Sequence, residues 1–190
     1  MNTLKLSCRC GEIKGKIKDI DANSGNRLVC YCQDCQSFAS ALSQRASTLN
    51  KFGGTEIYQV APEHLEITQG IDHIACMKLS AKGIHRWYSA CCNTPICNTA
   101  GAKLPFVGII HNAYHNNQNI GATCGPILGA VHYAHLDNST QALVKGPHSH
   151  NRILLRIIRK LLFWKLTGKG KTSPFYNRLG KPICKPLLRQ

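Results

Sequence analysis

Acidic residues are scarce in this chain. Nine Asp and Glu stand against 24 Lys and Arg in 190 residues, a formal charge of +15. Such an excess attracts anions: nucleic acid, acidic lipid or carboxylate-bearing small molecules. Long apolar runs are missing as well, and none reaches the length that spans a bilayer. The stretch Met1 to Ser7 lacks the charged-then-apolar layout of a secretory signal, so a cytoplasmic chain with reduced thiols is expected. No internal repeat is visible, which argues against a solenoid. Basic residues are not interleaved with exposed aromatics and no recognition motif is visible, so specific nucleic-acid binding is not expected. Apolar residues make up 43% of the chain. That suffices for the core of one ordinary domain with an appendage.

Cysteine, in contrast, is abundant, with eleven in the chain. Seven fall into three clusters: Cys8-Arg9-Cys10-Gly11, Cys30-Tyr31-Cys32-Gln33-Asp34-Cys35, and the adjacent pair Cys91-Cys92. Cysteines one residue apart rarely bridge to each other, and clustered thiols in a reduced compartment favour metal over disulfide.

Along the chain the dominant period is two. Leu4, Leu6, Cys8 and Cys10 alternate with Lys5, Ser7 and Arg9, which predicts a strand with both thiols on one face. Gly11 permits a turn, and Ile13, Gly15 and Ile17 resume the alternation, so a hairpin carries two thiols near its tip. Residues 19–26 read as a loop. Leu28, Cys30 and Cys32 predict a strand running into the second cluster, and residues 36–46 a short helix directly after it. Short strands are expected at 56–60, 65–68 and 76–79. An aromatic strand from Ile84 runs into Cys91-Cys92 and stops at Pro95, and further strands are expected at 106–110 and 128–132. From Asn151 to Leu166, apolar residues 154, 157, 158, 161 and 162 oppose Arg152, Arg156, Arg159 and Lys160, the pattern of a basic amphipathic helix. The tail from Thr167 is rich in Gly, Pro and Lys and is expected to wrap the surface. The expected organisation is a zinc-binding domain over residues 1–150, with a basic helix and tail over 151–190 packed on it.

Zinc bound by four protein ligands is structural, whereas three leave a position open for chemistry. Seven clustered thiols divide naturally into four and three. Cys8, Cys10, Cys91 and Cys92 would close one zinc site, and Cys30, Cys32 and Cys35 would form an open, catalytic one. Two zinc ions are therefore expected as cofactors. A thiol bound at an open zinc is deprotonated and nucleophilic at neutral pH.

Cys-x-Cys-Gly on a first hairpin, Cys-x-Cys-x-x-Cys after it, and an Arg-aromatic strand running into Cys-x-Thr-Pro-Ile together resemble the glutathione-dependent formaldehyde-activating enzymes. The likeness covers roughly residues 4–110, the span of one domain. A branch of uncharacterised bacterial proteins with a C-terminal extension is closer still. Its features are matched by Arg86 to Pro95, by Ser173 to Phe175 and by Gly180 to Pro182. The resemblance implies a mainly β, zinc-stapled β-tent fold like that of Mss4. It also implies a structural zinc on Cys8 and Cys10 with the late cluster, and a catalytic zinc on Cys30, Cys32 and Cys35. There the family joins a thiol to an aldehyde, which is carbon–sulfur lyase chemistry run in reverse. The family's late pair is Cys-x-x-Cys-Gly. Aligned on Thr94-Pro95, its second position is Cys92 but its first is Ser89, so Cys91 is expected to substitute.

The partners implied are a small anionic thiol such as glutathione, an anionic membrane in weak contact with the basic helix, and a second copy in a homodimer. The alternative function is a non-catalytic zinc module that uses the basic helix for membrane or protein contact. Cys76, Cys97, Cys124 and Cys184 read as core or surface thiols, with Cys97 near enough to Cys92 to be a spare ligand. The pairs His111/His115 and His132/His135 have chelating spacings, but solvated or core histidines are expected. Arg86 and Trp87 are expected on an ordinary strand, with a face toward a substrate pocket as the alternative.

Overall fold

The structure, a computed structural model, describes residues 1–114, 119–170 and 173–189. It is mainly β, as expected. The chain begins with β1 (Asn2–Ser7) and β2 (Lys14–Ile20), an antiparallel hairpin in which Leu4, Leu6, Ile17 and Ile20 point inward. It continues through β3 (Asn26–Cys30), helices α1 (Gln33–Ala41) and α2 (Arg45–Thr48), and strands β4 (Thr55–Val60), β5 (Leu65–Gln69) and β6 (Ile74–Lys78). Next come β7 (His85–Ser89), β8 (Pro95–Thr99), β9 (Val107–Ile110), α3 (Ile120–Cys124), β10 (Ala130–Val131), α4 (Asn138–Val144), α5 (His150–Leu166) and β11 (Leu187–Leu188).

Two sheets result. The smaller has the order β1-β2-β5, and the larger β10-β3-β4-β9-β8-β7-β6-β11. The larger sheet is antiparallel except at its edges, where β10 joins β3 and β11 joins β6 in parallel. Two short strands from the C-terminal half thus cover edges that would otherwise present unpaired amides. Strands β8 and β9 are buried along their whole length. They form the middle of the large sheet, where both faces are covered.

The differences from the sequence reading have local causes. Strand β1 stops at Ser7 rather than running through Cys10. There the chain turns on Gly11, with φ at 82°, and the Cys8 amide donates to the Ile13 carbonyl at 3.1 Å. Strand β3 likewise ends at Cys30, and the helix starts at Gln33, three residues before the expected start. Cys32 caps that helix and Asp34 lies in its first turn, a charge suited to a helix N-terminus. The helix expected over 36–46 breaks after Leu42, where Ser43 takes a left-handed φ of 55°. Strand β8 was not expected, because Pro95 read as a stop. Pro95 is instead the first residue of the strand, a position where a missing N–H is tolerated.

The tail does more than lie on the surface. Phe175 is fully buried and its ring stacks on Trp87, centroids 4.6 Å apart. The Trp87 indole donates to Thr99 Oγ1 at 2.8 Å, and that hydroxyl meets the Tyr176 hydroxyl at 2.6 Å. The tail is therefore bound into the main core through an aromatic stack and a hydroxyl pair.

Helix α5 forms where the 3.6-residue pattern placed it, but it faces the core along a different line. Its buried residues are Ile153 and Trp164, while Ile158 and Leu162 are exposed. At ~100° per residue the buried face is rotated by about a quarter turn toward the basic side. Trp164 offers the largest apolar surface on the helix. Arg156 tolerates the core side because its Nε donates to Asn26 Oδ1 at 2.9 Å, and Lys160 because its ammonium reaches the Asn23 carbonyl.

Candidate metal centres

Four sulfurs gather between the tip of the first hairpin and the β7–β8 turn. The loop after β1 curls round Cys8, whose buried sulfur accepts from the Ile13 amide at 3.3 Å. At the β7–β8 turn, Asn93 takes a φ of 55° and its amide donates to the Ser89 carbonyl at 2.9 Å. That tight turn is what lets adjacent cysteines point into one site. Arg9 ties the two loops together, its amide donating to Thr94 Oγ1 at 3.0 Å and its guanidinium to the Cys92 carbonyl at 3.3 Å.

In this first group the Sγ atoms of Cys8 and Cys10 are 3.4 Å apart, those of Cys10 and Cys91 3.2 Å, and those of Cys8 and Cys91 4.0 Å. All four sulfurs, Cys92 included, lie within 4.8 Å of one another. Four sulfurs at ~2.3 Å from one ion in a tetrahedron are about 3.8 Å apart, so the group fits a metal such as zinc. Cys91 lies among the sulfurs, and Ser89 plays a different part. Its hydroxyl accepts from the Thr94 amide at 2.9 Å and lies 3.0 Å from Cys92 Sγ. Burial works against the Cys92 thiolate. Hydrogen bonds from Ser89, Thr94 and Cys10 outweigh it and bring Cys92 down to about 5. Cys91 is pushed up to about 12, first by desolvation and then by the thiols of Cys10 and Cys8.

Cys30, Cys32 and Cys35 form the second group, built by the passage from β3 into α1. Cys30 ends the strand, Cys32 is the helix cap with its sulfur 3.4 Å from the Cys35 amide, and Cys35 lies in the first turn. A strand continuing through Cys32 would have carried Cys35 to the opposite face. The turn into a helix brings all three sulfurs within 4.8 Å. Hydrogen bonds from Cys30 and Cys35 hold the Cys32 thiol far below its ordinary value, helped by the Cys35 amide and the charge of Arg86. Cys30 is raised by its hydrogen bonds with the thiols of Cys32 and Cys35 and by burial. Cys35 stands at about 11, drawn down by Cys30 but raised more by Cys32 and by desolvation. Among the described residues no other cysteine, histidine or carboxylate joins this group, so it offers three protein ligands.

Arg86 is the neighbour the sequence reading undervalued. It projects from β7 with only 2% of its side chain exposed, and its Nη2 lies 3.2 Å from Asp34 Oδ2, next to Cys35 in the chain. Its Nη1 lies 3.5 Å from Asn98 Oδ1, and the guanidinium sits 5.5 Å from the centre of the Phe38 ring. A buried cation beside a thiolate cluster is a counter-charge. The available signal was an arginine in the middle of an otherwise aromatic strand. Trp87 packs in the core on Phe175 instead of facing a pocket.

All eleven cysteines are free. Cys76, Cys97 and Cys124 are buried and Cys184 is half-buried. Cys97 sits inside β8, opposite Trp87, and is outside the four-sulfur group, so it is no spare ligand. His111 Nε2 meets the Ser47 carbonyl at 3.2 Å, while His132 and His135 are exposed. His115 lies outside the described residues. No histidine joins a cluster of three metal-binding side chains among those described.

A family model matches residues 1–186 of the chain. The chain belongs to the family of unknown function DUF6151. No curated protein matches it. Among solved structures, a Rhodobacter sphaeroides protein is similar at 11% identity and a TM-score of 0.42, over 61% of this chain and 92% of that one. The DUF6151 match takes in the first hairpin, both thiol groups, α5 and Phe175 of the tail. No helix among the described residues of this DUF6151 chain is long and apolar enough to cross a membrane.

Proposed function

We propose that this DUF6151 protein carries zinc in both thiol groups and uses the three-thiol one to bind a small anionic thiol, such as glutathione. There it makes or breaks a carbon–sulfur bond. The observation that carries this reading is the unequal donor count, four sulfurs in one group and three in the other. Cys8, Cys10, Cys91 and Cys92 would hold a closed, structural zinc, and Cys30, Cys32 and Cys35 a zinc with a free position. Zinc bound there would hold an incoming thiol as a thiolate at neutral pH.

The chain's own residues support such a substrate. Arg86 supplies a buried positive charge beside the cluster, and Asp34 and Asn98 orient its guanidinium. The Cys35 amide, in the first turn of α1, donates to the sulfur of Cys32 at 3.4 Å. A net charge of +15 draws in an anionic thiol. In the addition, the thiol sulfur bonds to a carbonyl carbon and the thiol proton ends on the carbonyl oxygen. In the reverse direction that bond breaks. The motif resemblance to glutathione-dependent formaldehyde-activating enzymes favours the same reaction class. A cytoplasmic setting, where thiols stay reduced, suits it as well.

The deciding measurement is the zinc count per chain together with X-ray absorption of the zinc-loaded protein. Two zinc ions are expected. Adding glutathione should convert the average ligand set from mixed sulfur and light-atom donors to sulfur alone. One zinc per chain, or a ligand set that glutathione leaves unchanged, overturns the proposal.

A further inference from the structure

The last acidic residue of the chain is Asp137, and beyond it lie twelve of the 24 Lys and Arg with no Asp or Glu. Helix α5 sits inside this segment and has two apolar faces. The inner one is packed: Ile153 and Trp164 are buried, and Ile153 and Ile157 pack with Leu28, Leu128, Cys30 and Cys35. The outer one is bare. Leu155, Ile158, Leu162 and Leu166 are 57%, 53%, 56% and 86% exposed. Their spacing of three, four and four places them in one stripe along the helix. Exposed Arg152, Arg159 and Lys165 flank the stripe, and none of them forms an ion pair among the described residues. Beside it opens a groove of about 620 Å³, walled by Leu128, Ile153 and Phe163 and rimmed by Arg152, Arg156 and Arg159.

We propose that the outward face of α5 docks on an anionic bilayer surface, with the leucine stripe in the acyl boundary and the flanking cations at the headgroups. Isolated exposed leucines are ordinary, but an aligned stripe flanked by cations and without an acidic neighbour on the helix is the pattern of a helix lying in a membrane interface. The long Lys and Arg stems reach from the apolar layer up to phosphate. A groove with a basic rim and an apolar wall suits a headgroup phosphate joined to an acyl chain. The helix lies on the bilayer, since it is not long and apolar enough to cross it. Charge also selects the occupant. A second copy would bring two acid-free basic segments face to face, whereas an anionic surface attracts each cation. This reading does not depend on the metal chemistry.

The test uses the full chain and two vesicle preparations, phosphatidylcholine alone and phosphatidylcholine mixed with phosphatidylserine. Co-sedimentation with the mixed vesicles only, weakening as salt is added, is expected. The double variant Leu155→Glu/Leu162→Glu changes exposed positions and should keep the wild-type circular dichroism and zinc content while losing binding about tenfold or more. Arg152→Glu/Arg159→Glu should weaken binding to the mixed vesicles by a similar factor. Equal binding to both vesicle types, no binding at low salt, or undiminished binding by the folded Leu155→Glu/Leu162→Glu variant overturns the proposal. So does a wild-type dimer without lipid that this variant dissociates, because the stripe is then covered by a second copy.

Discussion

Ser89 stands three residues before Cys92, and its hydroxyl is 3.0 Å from Cys92 Sγ. Its role is that of a hydrogen-bonding neighbour, while Cys91 supplies the sulfur 3.2 Å from Cys10. The two positions should therefore respond differently. Cys91→Ser should reduce zinc from two ions per chain to one. Ser89→Ala should keep both but weaken one by about 10- to 100-fold, the usual effect of removing a group that orients a ligand. Competitive titration with a chromophoric chelator separates these outcomes. Arg86 gives a second test at this scale. Its charge favours the thiolates of Cys32 and Cys35, so Arg86→Ala should move the pH profile of cysteine alkylation in the zinc-free protein upward. Arg86→Lys keeps the charge and should restore part of the shift. The alanine variant should also lose about 2–3 kcal/mol of stability, the scale of lost charge-assisted hydrogen bonds. The thiol spacings were legible in the sequence because the covalent chain sets them. The Arg86–Asp34 pair was not, because 52 residues separate its members and only the sheet joins them.

At the scale of elements, the tail is tied to the large sheet through the rings of Phe175 and Tyr176 and through β11. Phe175 is fully buried and stacks on Trp87 at 4.6 Å, and β11 follows it to pair with β6. Phe175→Ala leaves a cavity against the largest core residue and should cost about 3–5 kcal/mol. For a chain of this size that lowers the melting temperature by roughly 10 °C, readable by thermal denaturation. A surface-wrapping tail would show almost no change. Helix α5 illustrates how far periodicity carries. The 3.6-residue alternation of apolar and basic residues predicts the helix, yet its inner line could not be read from spacing alone. Trp164 and Ile153 went inward, and on that side Arg156 and Lys160 are satisfied by Asn26 and the Asn23 carbonyl. Strand β8 escaped for a simpler reason. Pro95 reads as a terminator, and the hydrogen-bond position it occupies is visible only in the paired sheet.

Across the whole molecule, the four-thiol group joins the small sheet's hairpin to the large sheet. Cys8 and Cys10 follow β1, and Cys91 and Cys92 follow β7. Removing metal should therefore loosen the contact between the sheets, beyond a local effect on two loops. Treatment with a strong chelator should lower the unfolding midpoint, and zinc should restore it, by the linkage of ligand binding to folding. Acid should act in the same direction. Cys8, Cys30, Cys35 and Cys91 have thiols raised above their ordinary value, so they are protonated at neutral pH without metal and must release protons to bind it. Zinc should stay bound near neutrality and leave as pH falls, with proton uptake, which a colorimetric zinc reporter and a pH-stat would record together. The sequence by itself determined the local quantities: which thiols are neighbours, where period two makes strands, where period 3.6 makes α5, and the sign of the charge. Each depends on a few consecutive residues and their backbone geometry. The tertiary structure decided what meets across distance: Cys91 with Cys10, Arg86 with Asp34, Phe175 with Trp87, and the side of α5 that remains bare. Those choices depend on shape and on the satisfaction of buried polar groups in a shared core, which no local window contains.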